Sequence, residues 1–142
     1  MSEASTTTTA RWPLPIGIVS VIYGLLFGLY YVRPAAADVS WVWPMINVAI
    51  TVCFLGGGVG VLLCKRSGVS SLLLGSYIVL AQLIYMLAMI FEIMGGVPPF
   101  FALLAIMTMM VPTAAWPVFL VIWLRREPVK RYIANHWMEN TI

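Results

Sequence analysis

The sequence predicts an all-α integral membrane protein, folded as a four-transmembrane-helix antiparallel bundle with both termini in the cytoplasm (N-in/C-in). The first observation behind this prediction is composition: 62% of the residues are hydrophobic and 9% are charged, against about 45–50% and about 25% in soluble domains. The second is that the apolar residues form four long stretches, with charged residues gathered at their ends. A soluble fold of 142 residues cannot bury so much apolar surface, so the bilayer must serve as solvent.

The first two predicted spans cover residues 14–32 and 41–64. The nineteen residues of the first span include no charge, and at about 1.5 Å per residue they reach roughly 28 Å, close to the hydrocarbon thickness of a bilayer. The second span opens with Trp41 and Trp43, a residue type that favours the membrane interface. It ends before Lys65-Arg66-Ser67-Gly68, and this connection is so short that the second and third spans must be antiparallel neighbours.

A cleaved signal peptide is the alternative interpretation of the first span, because Ala35-Ala36-Ala37 resembles a signal-peptidase site. The apolar run of a signal peptide is usually about 7–15 residues long. The run that precedes these alanines is longer than that. We therefore interpret it as a retained transmembrane span.

The third and fourth predicted spans cover residues 69–94 and 100–124. A cluster of glycine and proline at 95–99 separates them, since such clusters end helices. Pro112 and Pro117 lie inside the fourth span. Each removes a backbone N–H donor, and we expect both to kink this helix.

The four spans form one transmembrane domain, residues 13–124, between two polar segments. Residues 1–12 are predicted to be a disordered cytoplasmic N-terminus, since they contain no apolar periodicity. Residues 125–142 form a basic cytoplasmic tail. The apolar residues of the tail fall at near-helical spacing: Val129, Tyr132, Ile133 and Trp137. This spacing predicts a short amphipathic helix lying on the membrane surface; the alternative is a frayed polar tail.

The distribution of lysine and arginine predicts the orientation. One of these residues precedes the first span, two follow the second and four follow the fourth, which makes seven on one side. The connections on the other side, 33–40 and 95–99, contain only Arg33. Short cytoplasmic loops are enriched in Lys and Arg, so the side with seven is predicted to be cytoplasmic. We expect a multi-pass protein of the cell or inner membrane.

Small residues recur along one face of each of the first three spans. The positions predicted to form helix contacts are Gly17, Gly24, Gly28, Gly56, Gly60, Ser71 and Gly75. Small side chains let membrane helices approach closely, so that van der Waals contact drives their association. We interpret these faces as contacts between helices of the chain itself; the alternative is an interface with a second copy or a partner protein.

The third span carries the strongest candidate for a ligand or ion site. Gln82, Tyr85 and Glu92 lie on one continuous stripe of this helix, spaced three and seven residues apart. Polar groups inside a membrane usually face protein. Asn47 of the second span lies near the same side of the bilayer, and we expect it to approach this stripe.

Glu92 is the only acidic residue inside a predicted span, and such residues are functional candidates. One hypothesis is that it binds a proton or a cation. The other is structural: Glu92 lies two residues from the end of its span, where it pairs with Arg33 or stays hydrated.

The sequence contains no recognisable catalytic or cofactor motif. Cys53 and Cys64 lie eleven residues apart on one predicted helix, roughly 16 Å along its axis, too far for a disulfide. His136, the only histidine, lies outside the spans, which leaves no axial ligand for a haem within the bilayer. We therefore predict no catalytic residue, no metal and no cofactor.

These observations favour a small non-enzymatic membrane protein, an accessory subunit or a helix-packing scaffold. The alternative is a small oligomeric transporter or channel that uses Glu92 with Gln82, Tyr85 and Asn47. An enzyme acting on lipid or quinone substrates is a third hypothesis, but its candidate residues form no known constellation. The expected partners are membrane lipids and either further copies of the chain or a larger membrane complex; nucleic acid is not expected, since no basic face with accessible aromatic residues is present.

Overall fold

The structure is a computed structural model of the chain, and it describes residues 12–31, 41–96 and 99–137. Residues 1–11, 32–40, 97–98 and 138–142 lie outside the described part. The predictions for Arg33 and for Ala35-Ala36-Ala37 therefore fall outside it as well.

The described residues form five helices: α1 (Pro13–Tyr31), α2 (Val42–Leu62), α3 (Arg66–Ile93), α4 (Phe100–Leu124) and α5 (Glu127–His136). For these residues, the prediction of an all-helical fold is confirmed. Within the described residues, three helices, α2, α3 and α4, are long and apolar enough to cross a membrane, which fits a small membrane protein. The apolar stretch described in α1, Pro13–Leu29, is shorter.

Helices that follow one another in the chain lie against one another in space. α1 contacts α2, α2 contacts α3, and α3 contacts α4. Gly17 near the start of α1 lies beside Leu62 at the end of α2, and Gly28 near the end of α1 lies beside Thr51. α1 and α2 therefore run antiparallel.

The turn between α2 and α3 is a Schellman motif. The Lys65 N–H donates to the Gly60 carbonyl over 2.8 Å, and the Cys64 N–H donates to the Val61 carbonyl over 3.0 Å. Cys64 has a φ of 52°, the left-handed conformation that this motif requires. α3 begins directly after Lys65, three residues before the predicted start of the span, because the motif closes the turn so tightly. α3 itself ends in the same motif, with Gly95 at the left-handed position.

The buried core lies toward the end of the molecule at which α2 ends, α3 begins and α4 ends. We call this the basic end, because Lys65, Arg66, Arg125 and Arg126 lie there, and we call the opposite end the far end. The largest fully buried hydrophobic side chains are Phe54, Ile50, Leu72, Leu120, Val61 and Val79. They belong to α2, α3 and α4, so these helices share a single core.

A hydrogen bond between side chain and backbone ties α1 to α4. Pro117 lies inside α4 and is fully buried, and its missing N–H leaves the Thr113 carbonyl without its usual partner four residues later. The hydroxyl of Tyr23 in α1 donates to this carbonyl over 2.7 Å. A group that the proline frees inside its own helix is thus satisfied by a neighbouring helix.

α5 covers the basic end. Its apolar residues Val129 and Ile133 are buried, and so is Trp137 directly after it. The Trp137 ring stacks on the ring of Trp12, with centroids 5.6 Å apart. The predicted amphipathic helix is therefore present, and its apolar side is covered by the chain itself. Its position on the membrane surface stays a prediction.

Candidate functional site

The glycines of α1 allow close contact with α2. A Cβ atom built on Gly17 would lie 2.5 Å from Leu62 Cγ, and one built on Gly24 would lie 3.0 Å from Phe54 Cβ. A Cβ on Gly28 would lie 2.9 Å from Thr51 Cγ2. All three predicted positions of α1 therefore face α2 at distances that a larger side chain cannot occupy.

The contact between α2 and α3 is closest near the turn. A Cβ on Gly60 would lie 2.6 Å from the Cα of Gly68, a backbone atom that cannot move aside. Farther along, a Cβ on Gly75 would lie 2.9 Å from Cys53 Cβ. The Ser71 hydroxyl donates to the Cys53 carbonyl over 3.0 Å, which fixes the two helices at this level.

Gly56 is placed differently from the other glycines of α2. A Cβ on Gly56 would have no neighbour within 4 Å. The close contacts here belong to Gly57, where a Cβ would lie 2.8 Å from Leu72 Cγ, and to Gly58, where it would lie 2.9 Å from the Gly17 carbonyl oxygen. The sequence does not show this difference directly, because Gly56, Gly57 and Gly58 are consecutive. A helical wheel that places Phe54 on the buried side would predict it, since Gly57 and Gly58 share that side and Gly56 does not.

Asn47 and Gln82 are brought together between α2 and α3. Gln82 Nε2 donates to Asn47 Oδ1 over 3.1 Å, and Asn47 is only 7% exposed. One turn farther toward the far end, the Tyr85 ring lies beside the ring of Trp43, with centroids 5.3 Å apart. Three of the four predicted site residues thus have their contacts along one seam between these helices.

Glu92 does not join this seam. It lies ten residues beyond Gln82 on the same helix, about 15 Å at 1.5 Å per residue. Since α2 and α3 run antiparallel and Gln82 is level with Asn47, Glu92 lies beyond the level at which α2 begins. Glu92 is exposed, and the structure does not bring it to Asn47.

The remaining chemically versatile residues form no cluster. Among the described residues, no group of three or more His, Cys, Asp or Glu side chains could hold a metal ion. Cys53 and Cys64 are free thiols. His136 stacks on Tyr132, with ring centroids 4.5 Å apart. No arrangement in the described chain resembles a nucleophile with its base.

Two surfaces that the sequence does not reveal lie outside the core. The first is the far flank, which we define as the described residues between 80 and 116 in α3 and α4; none of these residues is buried. The second is an open cleft at the basic end, the basic cleft, lined by residues of α3, α4 and α5 with a volume of about 540 Å³. Neither follows from helical periodicity alone, because both depend on how far neighbouring helices separate.

An open groove of about 560 Å³ runs between α1 and α4 beside the far flank. Leu26, Phe27 and Leu29 line it from α1, and Met109 and Pro112 line it from α4. The groove is mostly apolar, and Tyr23 and Thr113, which a hydrogen bond joins across it, also line it.

Comparison with known proteins adds no further constraint. No protein-family model matches the chain, and neither a curated protein nor a solved structure matches it significantly.

Proposed function

We propose that the chain is a non-enzymatic integral membrane protein that crosses the bilayer four times with both termini in the cytoplasm, and that it acts as an accessory subunit. In this proposal the buried core toward the basic end holds the helices together, and the far flank contacts transmembrane helices of a partner protein.

The lengths and contacts of the helices support four crossings. α1 has nineteen residues, about 28 Å, enough to span the hydrocarbon region. α1 also packs along α2 through Gly17, Gly24 and Gly28, so it shares the depth of a helix that is long enough to cross. Arg66 and Arg125 line one cleft, so the basic connection and the basic tail meet at one end, in agreement with the positive-inside rule.

The use of polar groups supports a structural role. The hydroxyl of Tyr23 bonds the α4 backbone, Ser71 bonds the α2 backbone, and Gln82 bonds Asn47. Each of these groups joins two helices, and such interhelical hydrogen bonds stabilise membrane helix association by about 0.6 kcal/mol on average. In an enzyme such polar side chains would contact the substrate, whereas Tyr23, Ser71 and Gln82 form hydrogen bonds between helices.

The far flank is the observation that carries the proposal. Of the most apolar window of each helix, 33% is buried in α2, but only 17% in α3 and 11% in α4. Five of the nine methionines of the chain lie in the far flank: Met86, Met89, Met107, Met109 and Met110. Methionine adapts to irregular partner surfaces, so we favour a different membrane protein over a second copy as the occupant.

Photo-crosslinking in native membranes tests this assignment. A photoreactive benzoylphenylalanine replaces Met107, which is 41% exposed on the far flank, or Leu25, which is 50% exposed on α1, as a matched control. We expect the probe at 107, but not at 25, to capture one distinct membrane polypeptide. Capture of the chain itself would replace the partner by a second copy. The proposal would be overturned if probes at both positions crosslinked the same polypeptides equally and if the complex in native lipid discs had the mass of one chain alone.

One observation favours the alternative of a small transporter. Gln82 Oε1 is buried and has no hydrogen-bond partner among the described residues. However, the cavity that Gln82 lines has a volume of only about 10 Å³, far below the roughly 300 Å³ of a small-molecule site. Proton-driven uptake into proteoliposomes that is lost in Glu92→Gln would support transport; equal uptake by this variant and the natural chain would exclude a role for Glu92.

A further inference from the structure

The basic cleft combines positive charge with an apolar wall. Arg66 from the start of α3, Arg125 from the end of α4 and Lys130 from α5 all line it. No acidic residue is among the described residues that line it. Three cationic side chains from separate parts of the chain thus line one cleft of about 540 Å³.

Each of these side chains is positioned by a contact of its own. Arg66 Nη2 donates to the Ala134 carbonyl over 2.6 Å, and the Arg125 guanidinium carbon lies 5.5 Å from the centre of the Tyr77 ring. Lys130 Nζ lies 3.0 Å from Glu127 Oε1. Glu127 offsets one of the three charges, so the cleft and its immediate contacts keep two net positive charges.

The apolar wall of the cleft continues from the charged rim toward the core. It consists of Val69 and Leu73 of α3, Leu124 of α4 and Ile133 of α5. A ligand that fits both parts has an anionic head and an apolar body. Arginine is suited to phosphate because its planar guanidinium can donate two parallel hydrogen bonds.

We propose that the basic cleft binds the phosphate of an anionic phospholipid from the cytoplasmic leaflet, with the start of an acyl chain against its apolar wall. Basic pockets between transmembrane helices on the cytoplasmic side are suited to anionic headgroups. A soluble phosphate would use the arginines but would leave the apolar wall unused. The inference rests on the proposed function only in placing the basic end at the cytoplasmic surface of the membrane.

Native mass spectrometry of the full chain tests the site. The protein is reconstituted with phosphatidylcholine containing a minor fraction of phosphatidylglycerol, then transferred to detergent so that only tightly held lipid remains. We expect one phosphatidylglycerol to be retained per chain. In the double variant Arg125→Gln/Lys130→Gln, we expect the affinity for this lipid to fall about thirtyfold, at about tenfold for each 1.4 kcal/mol and about 1 kcal/mol for each basic residue.

A second double variant, Arg126→Gln/Arg131→Gln, is the matched control. It removes the same charge from the same segment, at exposed residues that do not line the cleft. We expect it to retain the lipid. Helicity and thermal stability in pure phosphatidylcholine show that both variants are folded, and a loss in the first variant at unchanged stability supports the site.

Three results would overturn the inference. Equal retention of phosphatidylcholine and phosphatidylglycerol by the natural chain would remove the preference for an anionic head. Equal loss in both double variants would reduce the effect to overall surface charge. Stabilisation by glycerol 3-phosphate as large as that by the lipid would assign the site to soluble phosphates. A chain that reconstitutes but shows any of these results leaves the proposed function intact, whereas a chain that does not enter lipid discs contradicts that function.

Discussion

The two halves of this molecule differ in what surrounds their helices. In the half nearer the basic end, α1, α2 and α3 approach one another closely at Gly17, Gly58 and Gly60. Side chains such as Phe54 are fully buried there. In the far half, α3 and α4 continue for several turns without a buried residue among those described between 80 and 116. α2, α3 and α4 are similarly apolar, so the composition of the helices does not cause the difference. Small residues at the crossing points decide which half the chain packs by itself and which half it leaves for other molecules.

Truncating one phenylalanine in each half gives the largest expected contrast. Phe54 is fully buried, whereas Phe101 is 82% exposed on the far flank. We expect Phe54→Ala to lower the free energy of unfolding by about 3 kcal/mol, because the cavity left behind loses its contacts. Phe101→Ala is expected to change it by less than about 0.5 kcal/mol. Unfolding by SDS in mixed micelles, followed by circular dichroism, measures both values; similar losses would mean that the far half is packed as well.

Alanine substitutions at two glycines of α2 separate the effect of a close helix contact on stability from the effect of helix propensity. Gly60→Ala places a Cβ 2.6 Å from the Gly68 backbone, whereas Gly56→Ala meets nothing within 4 Å. We expect the first variant to lose about 2 kcal/mol of stability through overpacking and the second to gain about 0.5 kcal/mol from the better helix former. The same SDS titration measures both changes in unfolding free energy. A loss of stability in Gly56→Ala would mean that another molecule packs against the side of α2 that carries Gly56.

A double-mutant cycle isolates the bond between α1 and α4. Tyr23→Phe removes the donor to the Thr113 carbonyl, and we expect it to cost about 1 kcal/mol of unfolding free energy. Pro117→Ala restores a backbone N–H that can bond the same carbonyl within α4. In the Pro117→Ala background, Tyr23→Phe should therefore cost close to nothing. An unchanged cost in that background would show that the tyrosine hydroxyl acts through some other contact.

The two Schellman turns give the smallest expected effects. Cys64 at the basic end and Gly95 at the end of α3 both have left-handed φ angles, 52° and 66°. Gly95→Ala should cost about 1 kcal/mol, since a Cβ is disfavoured in this conformation. Cys64→Gly should gain up to about 0.5 kcal/mol, because the relief at the backbone exceeds the loss of a partly buried thiol. Thermal unfolding followed by circular dichroism shows whether each variant is more or less stable than the natural chain. A loss of stability in Cys64→Gly would mean that the contacts of the thiol contribute more than the relief of the left-handed backbone conformation.

The helices follow closely from the sequence because hydrophobic length and helix-ending residues define them. The predicted spans 41–64 and 100–124 differ from α2 and α4 by no more than two residues at either end. Periodicity also predicts that Asn47 approaches the polar stripe of α3, but not that Gln82 is the residue of the stripe that bonds it. Glu92 shows where this reasoning stops: periodicity includes it in the polar stripe of α3, but α2 begins too late to reach that level.

Other features depend on three-dimensional fit that periodicity does not contain. The link between Tyr23 and Thr113 requires a proline to free a carbonyl on one helix and a hydroxyl to arrive from another. The position of α5 depends on aromatic contacts with Trp12, 125 residues before Trp137 in the chain. An amphipathic pattern shows that a helix needs an apolar surface, but it does not distinguish lipid from the protein's own rings.

The stacked Trp12 and Trp137 have a consequence for how the molecule is made. Contacts between α1, α2 and α3 involve neighbours in the chain and can form while the rest is still on the ribosome. The ring of Trp12 receives its partner only after Trp137 has been synthesised. The tail helix therefore packs against α1 only after the four preceding helices have been made, and a nascent chain that stops before it presents a tryptophan that the tail would cover.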